Sequence, residues 1–173
     1  MDIFWTILAG AGTFVLGQII LKLLIDPVQS LKSTVAEIAN KLILYANIYA
    51  NPRERDDEKQ LEMANELRNL SSTLQSNMYL IPAYKFTRYI FGLPPIKEIV
   101  YASGQLIYIH NGFKDAANNQ GILNCYAAQK SRLALNIFIP TEEFLNPENE
   151  AHFIKELKGS VTIENHSRQS PPF

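Results

Sequence analysis

The chain has 173 residues, with 16 basic against 17 acidic side chains and 47% apolar residues. The formal charge of −1 is uninformative taken whole, so charge has to be read by segment. A single cysteine, Cys125, excludes a disulfide framework and fits a reducing compartment.

An uncharged run, IFWTILAGAGTFVLGQIIL, occupies residues 3–21. Nineteen residues at ~1.5 Å each cover roughly 28 Å, close to a bilayer's hydrocarbon thickness. The run therefore predicts a transmembrane helix, assigned to residues 3–25. A cleaved signal peptide fits less well, because no Lys or Arg precedes the run and too few residues come before Ala9 and Ala11. A buried core helix is the other rival, since Gly10, Gly12 and Gly17 dilute the hydropathy. Lys22, Lys32 and Lys41 follow the run and only Asp2 precedes it. The positive-inside rule then places the amino terminus outside and the carboxy-terminal bulk in the cytoplasm. Lys22 can snorkel to the headgroups.

Thr6, Gly10, Thr13 and Gly17 are spaced four, three and four apart and share one helical face. Ala9, Thr13 and Gly17 form a small-xxx-small series. Small residues let membrane helices approach, and Thr hydroxyls can bond across the contact, so the stripe predicts a homo-oligomeric seam. Whether it also lines a pore stays open. Gln18 is the strongly polar residue of the run; it either snorkels or joins the helix contact.

Asp26-Pro27 reads as a helix start and a hinge after a short turn, with the two helices forming a long kinked rod. A helix to about residue 50 follows, with Leu31, Val35, Ile38, Leu42, Tyr45 and Tyr49 as its apolar seam. The mixed-charge stretch 53–59, including Asp56-Asp57, reads as solvent-facing. A second long helix then carries Leu61, Ala64, Leu67, Leu70, Leu74 and Ile81 inward, ending before Pro82. A short aromatic helix follows, closed by Gly92 and Pro94-Pro95. The third long helix covers about 96–112, with Ile99, Ser103, Leu106, Ile109 and Phe113 on one side. The fourth covers about 116–138, with Ile122, Tyr126, Leu133 and Ile137, and stops at Pro140. The run LNIFI at 135–139 has strand character but continues the helical pattern.

No segment sustains a period-two alternation, so the expected fold is all-α: a transmembrane helix, then an antiparallel four-helix bundle over 26–140. Residues 141–173 read as an acidic tail with one short helix from 146 to about 157 and a disordered end.

Segment by segment, charge is uneven. From Tyr79 to Pro140 there are six basic residues against two acidic ones, whereas the tail has three basic against six Glu. The basic middle also holds Tyr79, Tyr84, Tyr89, Tyr101, Tyr108 and Tyr126, offering cations for phosphates and rings for stacking bases. Lys85, Arg88, Lys130 and Arg132 are its candidate ligand residues, chosen on charge. Anionic lipid headgroups or an ordinary solvated face are the competing readings, and the acidic tail could cover the patch.

Catalysis finds little support. Cys125 has no motif around it and reads as structural. His110, His152 and His166 lack metal-ligand spacing; His110 sits in an apolar helical pattern and reads as a satisfied, half-buried histidine. Glu142-Glu143 suits a helix start, and NNQGIL is no phosphate loop. No enzyme, cofactor or metal is expected.

The ordered set FVLGQIILKLLIDPVQ, AEIANKLILYANIYANP, YLIPAYKFTRYIFGLPP and ASGQLIYI resembles a family of small bacterial single-pass membrane proteins, covering residues 3–140. It is similar to the membrane effector of the Hailong anti-phage defence system. The resemblance implies an oligomeric, channel-like protein held silent by short DNA oligomers from a nucleotidyltransferase partner and opened when they are lost. It would make the Thr6, Gly10, Thr13 and Gly17 stripe the membrane seam and the basic middle the sensor. A membrane-tethered scaffold binding a cytoplasmic protein is the alternative.

Overall fold

The computed structural model describes residues 2–53, 56–112 and 119–156. Phe113, Lys114, Asp115, the start of the fourth helix at 116 and everything after 156, including Lys158, His166, Arg168 and the terminal NHSRQSPPF, lie outside the described residues. Within them every regular element is helical, as the absence of period-two alternation predicted.

Helix α1 spans Asp2–Ile20, a π-helical segment spans Leu21–Ile25, and α2 spans Asp26–Leu44. They run on as one helix of 43 residues. The expected turn at Asp26 is thus absent, and the rod is unbroken. The π-helix is the physical reason. Proline has no N–H and its ring clashes with the carbonyl four residues back in a regular helix. Here the Asp26 N–H bonds the Leu21 carbonyl five residues back, and the wider turn passes Pro27 without a break. Asp26 is not a cap either: its carboxylate pairs with Lys22 at 2.9 Å, one turn earlier.

α3 (Ala46–Ala50) continues α2 past an irregular Tyr45, and Asn51-Pro52 ends it. α4 (Glu58–Leu80) starts at Asp57, whose side chain accepts the Gln60 N–H at 2.9 Å. Asp57 is therefore a helix cap rather than a solvent-facing charge. α5 (Tyr84–Phe91) is held between two left-handed residues, Ala83 at φ 46° and Gly92 at φ 64°. The first costs roughly 1–2 kcal/mol for a residue with a Cβ. The second is an ordinary glycine stop, with the Leu93 N–H on the Arg88 carbonyl at 3.0 Å.

α6 (Ile96–Asn111) and α7 (Gln120–Ala134) complete the body. α7 is shorter than the pattern predicted. It stops because Asn136 turns left-handed at φ 57° and the Ile137 N–H caps the Arg132 carbonyl at 2.8 Å. Asparagine tolerates this conformation, so the LNIFI run is neither strand nor helix. Two 3₁₀ turns, Thr141–Glu143 and Pro147–Asn149, lead to a further helical stretch at 150–156.

Helix α4 packs between α2 and α6, α7 lies on α6, and α3 closes against α7. Side-chain bonds fix the directions. Asn77 reaches Thr34 while Tyr45 reaches Glu66, so α2 and α4 are antiparallel. Ser71 meets Ser103 while His110 meets the Ala64 carbonyl, so α4 and α6 are antiparallel too. Leu31, Ile38, Leu67, Leu74, Ile99 and Leu106 are fully enclosed, matching the expected seams. Leu61 and Leu133 are the exceptions, each nearly half exposed. The buried face of α4 begins on Gln60, Met63 and Ala64, and that of α7 on Asn124, Ala127, Ala128 and Ser131. Both leucines sit about 100° or more around the helix from those faces.

Candidate functional site: the apolar helix and the cationic helices

No residue of α1 is buried, although it is the most apolar helix of the chain. Ile3, Phe4, Trp5, Ile7, Phe14 and Leu16 are each more than 60% exposed. A Cβ built on Gly10, Gly12 or Gly17 meets nothing within 4 Å. Thr6, Gly10, Thr13 and Gly17 thus form an open strip. Thr6 donates its hydroxyl to the Asp2 carbonyl and Thr13 to the Ala9 carbonyl, both at 2.9 Å. Their donors are used inside the helix, and their oxygens remain able to accept. Gln18 lies exposed near the π-helix and makes no hydrogen bond among the described residues. This helix is long and apolar enough to cross a membrane.

The four basic residues singled out in the sequence fall on two helices with different surroundings. Lys85 and Arg88 lie on α5; Arg88 stacks over the Tyr89 ring at 4.6 Å, and Lys85 has no ion pair among the described residues. Lys130 and Arg132 lie on α7 and are occupied by the tail. Lys130 donates to Glu150, and Arg132 pairs with Glu143 at 3.0 Å while also donating to the Phe138 carbonyl at 2.8 Å. The Arg132 Nε is buried without a hydrogen-bond partner among the described residues.

The tail is strapped down by more than charge. Gln129 holds both backbone groups of Leu145: it accepts that N–H at 2.7 Å and donates to its carbonyl at 2.9 Å. The Tyr126 hydroxyl donates to the Asn146 carbonyl at 2.8 Å, and the Tyr126 ring meets Phe153. Charge asymmetry announced that the tail could cover basic residues; the Gln129 clamp had no sequence signal, because one glutamine in a helix carries none.

Groups with chemical potential elsewhere are tied to structure. His110 is buried with Nδ1 2.8 Å from the Ala64 carbonyl, so that nitrogen carries the proton. Burial pushes the Cys125 thiol up and away from thiolate. Burial likewise raises Tyr49 and Tyr84 to about 12; their hydroxyls donate to the Leu42 and Pro94 carbonyls. Among the described residues, no group of three or more His, Cys, Asp and Glu side chains could hold a metal ion.

A polar line crosses the interior instead. The Ser71 and Ser103 hydroxyls lie 2.6 Å apart, and Gln75 donates to Ser103 at 2.6 Å. Asn124, fully buried, donates to the Tyr49 carbonyl at 3.0 Å and accepts from Gln120 at 2.9 Å. Satisfied buried networks of this kind fix helix register more than they add stability. No protein-family model matches the chain, and no curated protein or solved structure matches it.

Proposed function

We propose that the chain is a homo-oligomeric membrane channel-like effector of bacterial anti-phage defence, gated through its helical body. In this reading α1 spans the inner membrane with the amino terminus outside, and the rest is a cytoplasmic antiparallel four-helix bundle. The observation that carries it is the unbroken rod: one helix of 43 residues is unburied through α1, then contributes Leu31, Ile38 and Leu42 to the core. A shift of the body would move α1 directly, with the π-helix beside Asp26 and Pro27 as the point of give. The strip of Thr6, Gly10, Thr13 and Gly17, with Gln18 beside it, is the proposed seam between copies, since small exposed residues allow close helix approach.

The proposed ligand is a short single-stranded DNA oligomer, supplied by a nucleotidyltransferase partner. Its phosphates would compete with Glu143 and Glu150 for Arg132 and Lys130, which makes the tail a built-in rival for the same cations. Lys85 and Arg88 belong to the same basic middle but sit on α5, whose outer face is aromatic and exposed.

The test is the mass of the purified protein in detergent, with and without short single-stranded DNA, followed by conductance in planar bilayers. A discrete oligomer that binds DNA and conducts ions supports the reading. Thr13→Leu should disturb assembly or current. A monomer indifferent to DNA sinks the proposal and leaves a tethered adaptor, which would keep working after α1 is exchanged for an unrelated anchor.

A further inference from the structure

We propose that the outer face of α5 lies on the membrane surface beside the emerging rod and binds anionic lipid headgroups through Lys85 and Arg88. The proposal rests on α1 spanning a membrane, and its test separates the two.

Position comes first. Asn77, near the end of α4, bonds Ser30 and Thr34 near the start of α2. Antiparallel helices rise equally, so Leu80 stands level with residues 27–31 of the rod. The transmembrane helix assigned from the sequence ends at Ile25, with Lys22 snorkelling from its last turn. At 1.5 Å per residue, Leu80 therefore sits roughly 3–9 Å beyond the hydrocarbon edge. The headgroup layer is itself about 5–8 Å deep on each side. Helix α5 follows at that end after Pro82. Val28 at the start of α2, Met78 and Ile81 at the end of α4, and Tyr84 and Leu93 at either end of α5 are all buried.

Orientation comes next. Tyr84 and Thr87 are buried and anchored to the Pro94 and Pro82 carbonyls at 2.8 and 2.9 Å. That fixes which way the remaining face points. Phe86, Tyr89 and Ile90 are exposed by 69, 77 and 59%. They form one stripe on the side opposite Tyr84; Lys85 flanks it, and Arg88, nearer Tyr84 around the helix, reaches it by stacking on the Tyr89 ring at 4.6 Å. Three large apolar residues out of eight, turned to solvent by a helix whose inner face is already packed, need an apolar neighbour.

Chemistry selects that neighbour. Between Tyr79 and Tyr101 the sequence holds Lys85, Arg88 and Lys97 and a single acid, Glu98, which pairs loosely with Lys97 at 3.6 Å. Cations flanking an aromatic and aliphatic stripe at headgroup depth match an anionic bilayer surface. A nucleic acid would use the cations and rings but has no use for Ile90 or for this height above the membrane.

The experiment uses the full chain in vesicles of phosphatidylcholine and phosphatidylglycerol. Trp5 is the only tryptophan and reports α1 directly. In a Cys125→Ala background, Tyr89→Cys carries an environment-sensitive fluorophore, and Leu61→Cys, exposed at the far end of α4, carries the same label as a control. Lipids brominated near the headgroup should quench the label at 89 at least twofold more than the label at 61, and should also quench Trp5, which lies just inside the opposite edge of the span. The quenching at 89 should fall by half or more in Lys85→Ala, Arg88→Ala protein or when phosphatidylglycerol is omitted. Quenched Trp5 with a dry label at 89 overturns the proposal and leaves α1 as a span. Unquenched Trp5 overturns the span and the proposal together. Quenching at 89 that ignores lipid charge overturns the headgroup assignment. A label at 89 that stays dry in vesicles but responds to short single-stranded DNA gives the face to a nucleic acid and overturns it as well.

Discussion

Helices α1 and α7 have similar lengths, 19 and 15 residues, and opposite relations to their surroundings. In α1 nothing is buried, though nearly every side chain is apolar or small. In α7 ten of fifteen residues are buried, and Gln120, Asn124, Gln129 and Ser131 are among them. Hydropathy read alone would put α1 in a core and leave α7 at a surface. The inversion teaches that burial here follows from closeness of approach. α7 carries Gly121, Ala127 and Ala128 where its neighbours press in, whereas the small residues of α1 face open space. What α1 lacks is an apolar environment, which a bilayer or other copies of α1 would supply.

The same substitution in the two helices should break this comparison most sharply. A Cβ at Gly121 would stand 2.0 Å from the Ala50 carbonyl oxygen, a backbone atom that cannot turn aside. Gly121→Ala should cost about 3 kcal/mol, read as a fall in the denaturant midpoint in mild detergent. Gly10→Ala meets nothing and should stabilise the isolated helix by about 0.5–1 kcal/mol. If Gly10→Ala lowers oligomer mass without lowering the unfolding midpoint, its open side faces another copy. Equal losses from both substitutions would end the distinction drawn between the two helices.

A second contrast uses polar side chains. Asn124→Leu removes the donor to the Tyr49 carbonyl and the acceptor for Gln120, leaving both partners buried and unpaired. The expected loss is about 2 kcal/mol. Gln18→Leu, in the apolar helix, removes a side chain with no such bond and should leave unfolding of the body unchanged. Asn124 lies one helical turn from Gly121 and both meet the Tyr49–Ala50 backbone, so the double variant should fall short of the sum of the two single losses.

Much of this was legible in the residues. The seam of α2, the core leucines of α4 and α6, and the glycine and proline punctuation around α5 all follow from spacing. What stayed hidden has physical causes. The seam of α7 is small and polar, so an apolar search chose Leu133 and Ile122 in place of Ala127, Ala128 and Ser131. Pro27 predicted a break because a regular helix cannot pass it; one π turn removed the conflict, and no residue type signals a π turn. Asp57 looked like one charge among several because capping is a matter of one dihedral and one N–H. For the basic residues, charge identified them, but only geometry divided the pair on α5, which makes no ion pair among the described residues, from the pair on α7 that the tail occupies.

The tail strap offers a smaller and more local test of how α7 holds its neighbours. Gln129→Ala removes both bonds to the Leu145 backbone. The Leu145 amide should then exchange with solvent about tenfold faster, the equivalent of ~1.4 kcal/mol of local opening, while amides inside α6 keep their rates. A global rise in exchange would mean that the strap supports the whole body and not merely the tail.

The smallest effect is electrostatic and belongs to the far end of the rod. Glu66 accepts from Lys41 at 2.7 Å and from the Tyr45 hydroxyl at 2.8 Å, joining α2 to α4. The Lys41 hydrogen bond leads in holding the Glu66 carboxyl below its usual 4.5, and the same bond leads in holding Lys41 above 10.5. A lowered carboxylate contributes stability that is fully present above 4.5 and is lost as pH falls through the lower folded value. A raised lysine contributes stability that is present below 10.5 and is lost as pH rises through the higher folded value. Both groups are partly exposed, so salt should weaken the contribution. The stability gap between wild type and Glu66→Gln should therefore be flat from about pH 5 to 10, close on either side, and shrink with added salt. A gap that persists into acid would assign the role of Glu66 to packing between α2 and α4, because charge loss would then have removed nothing.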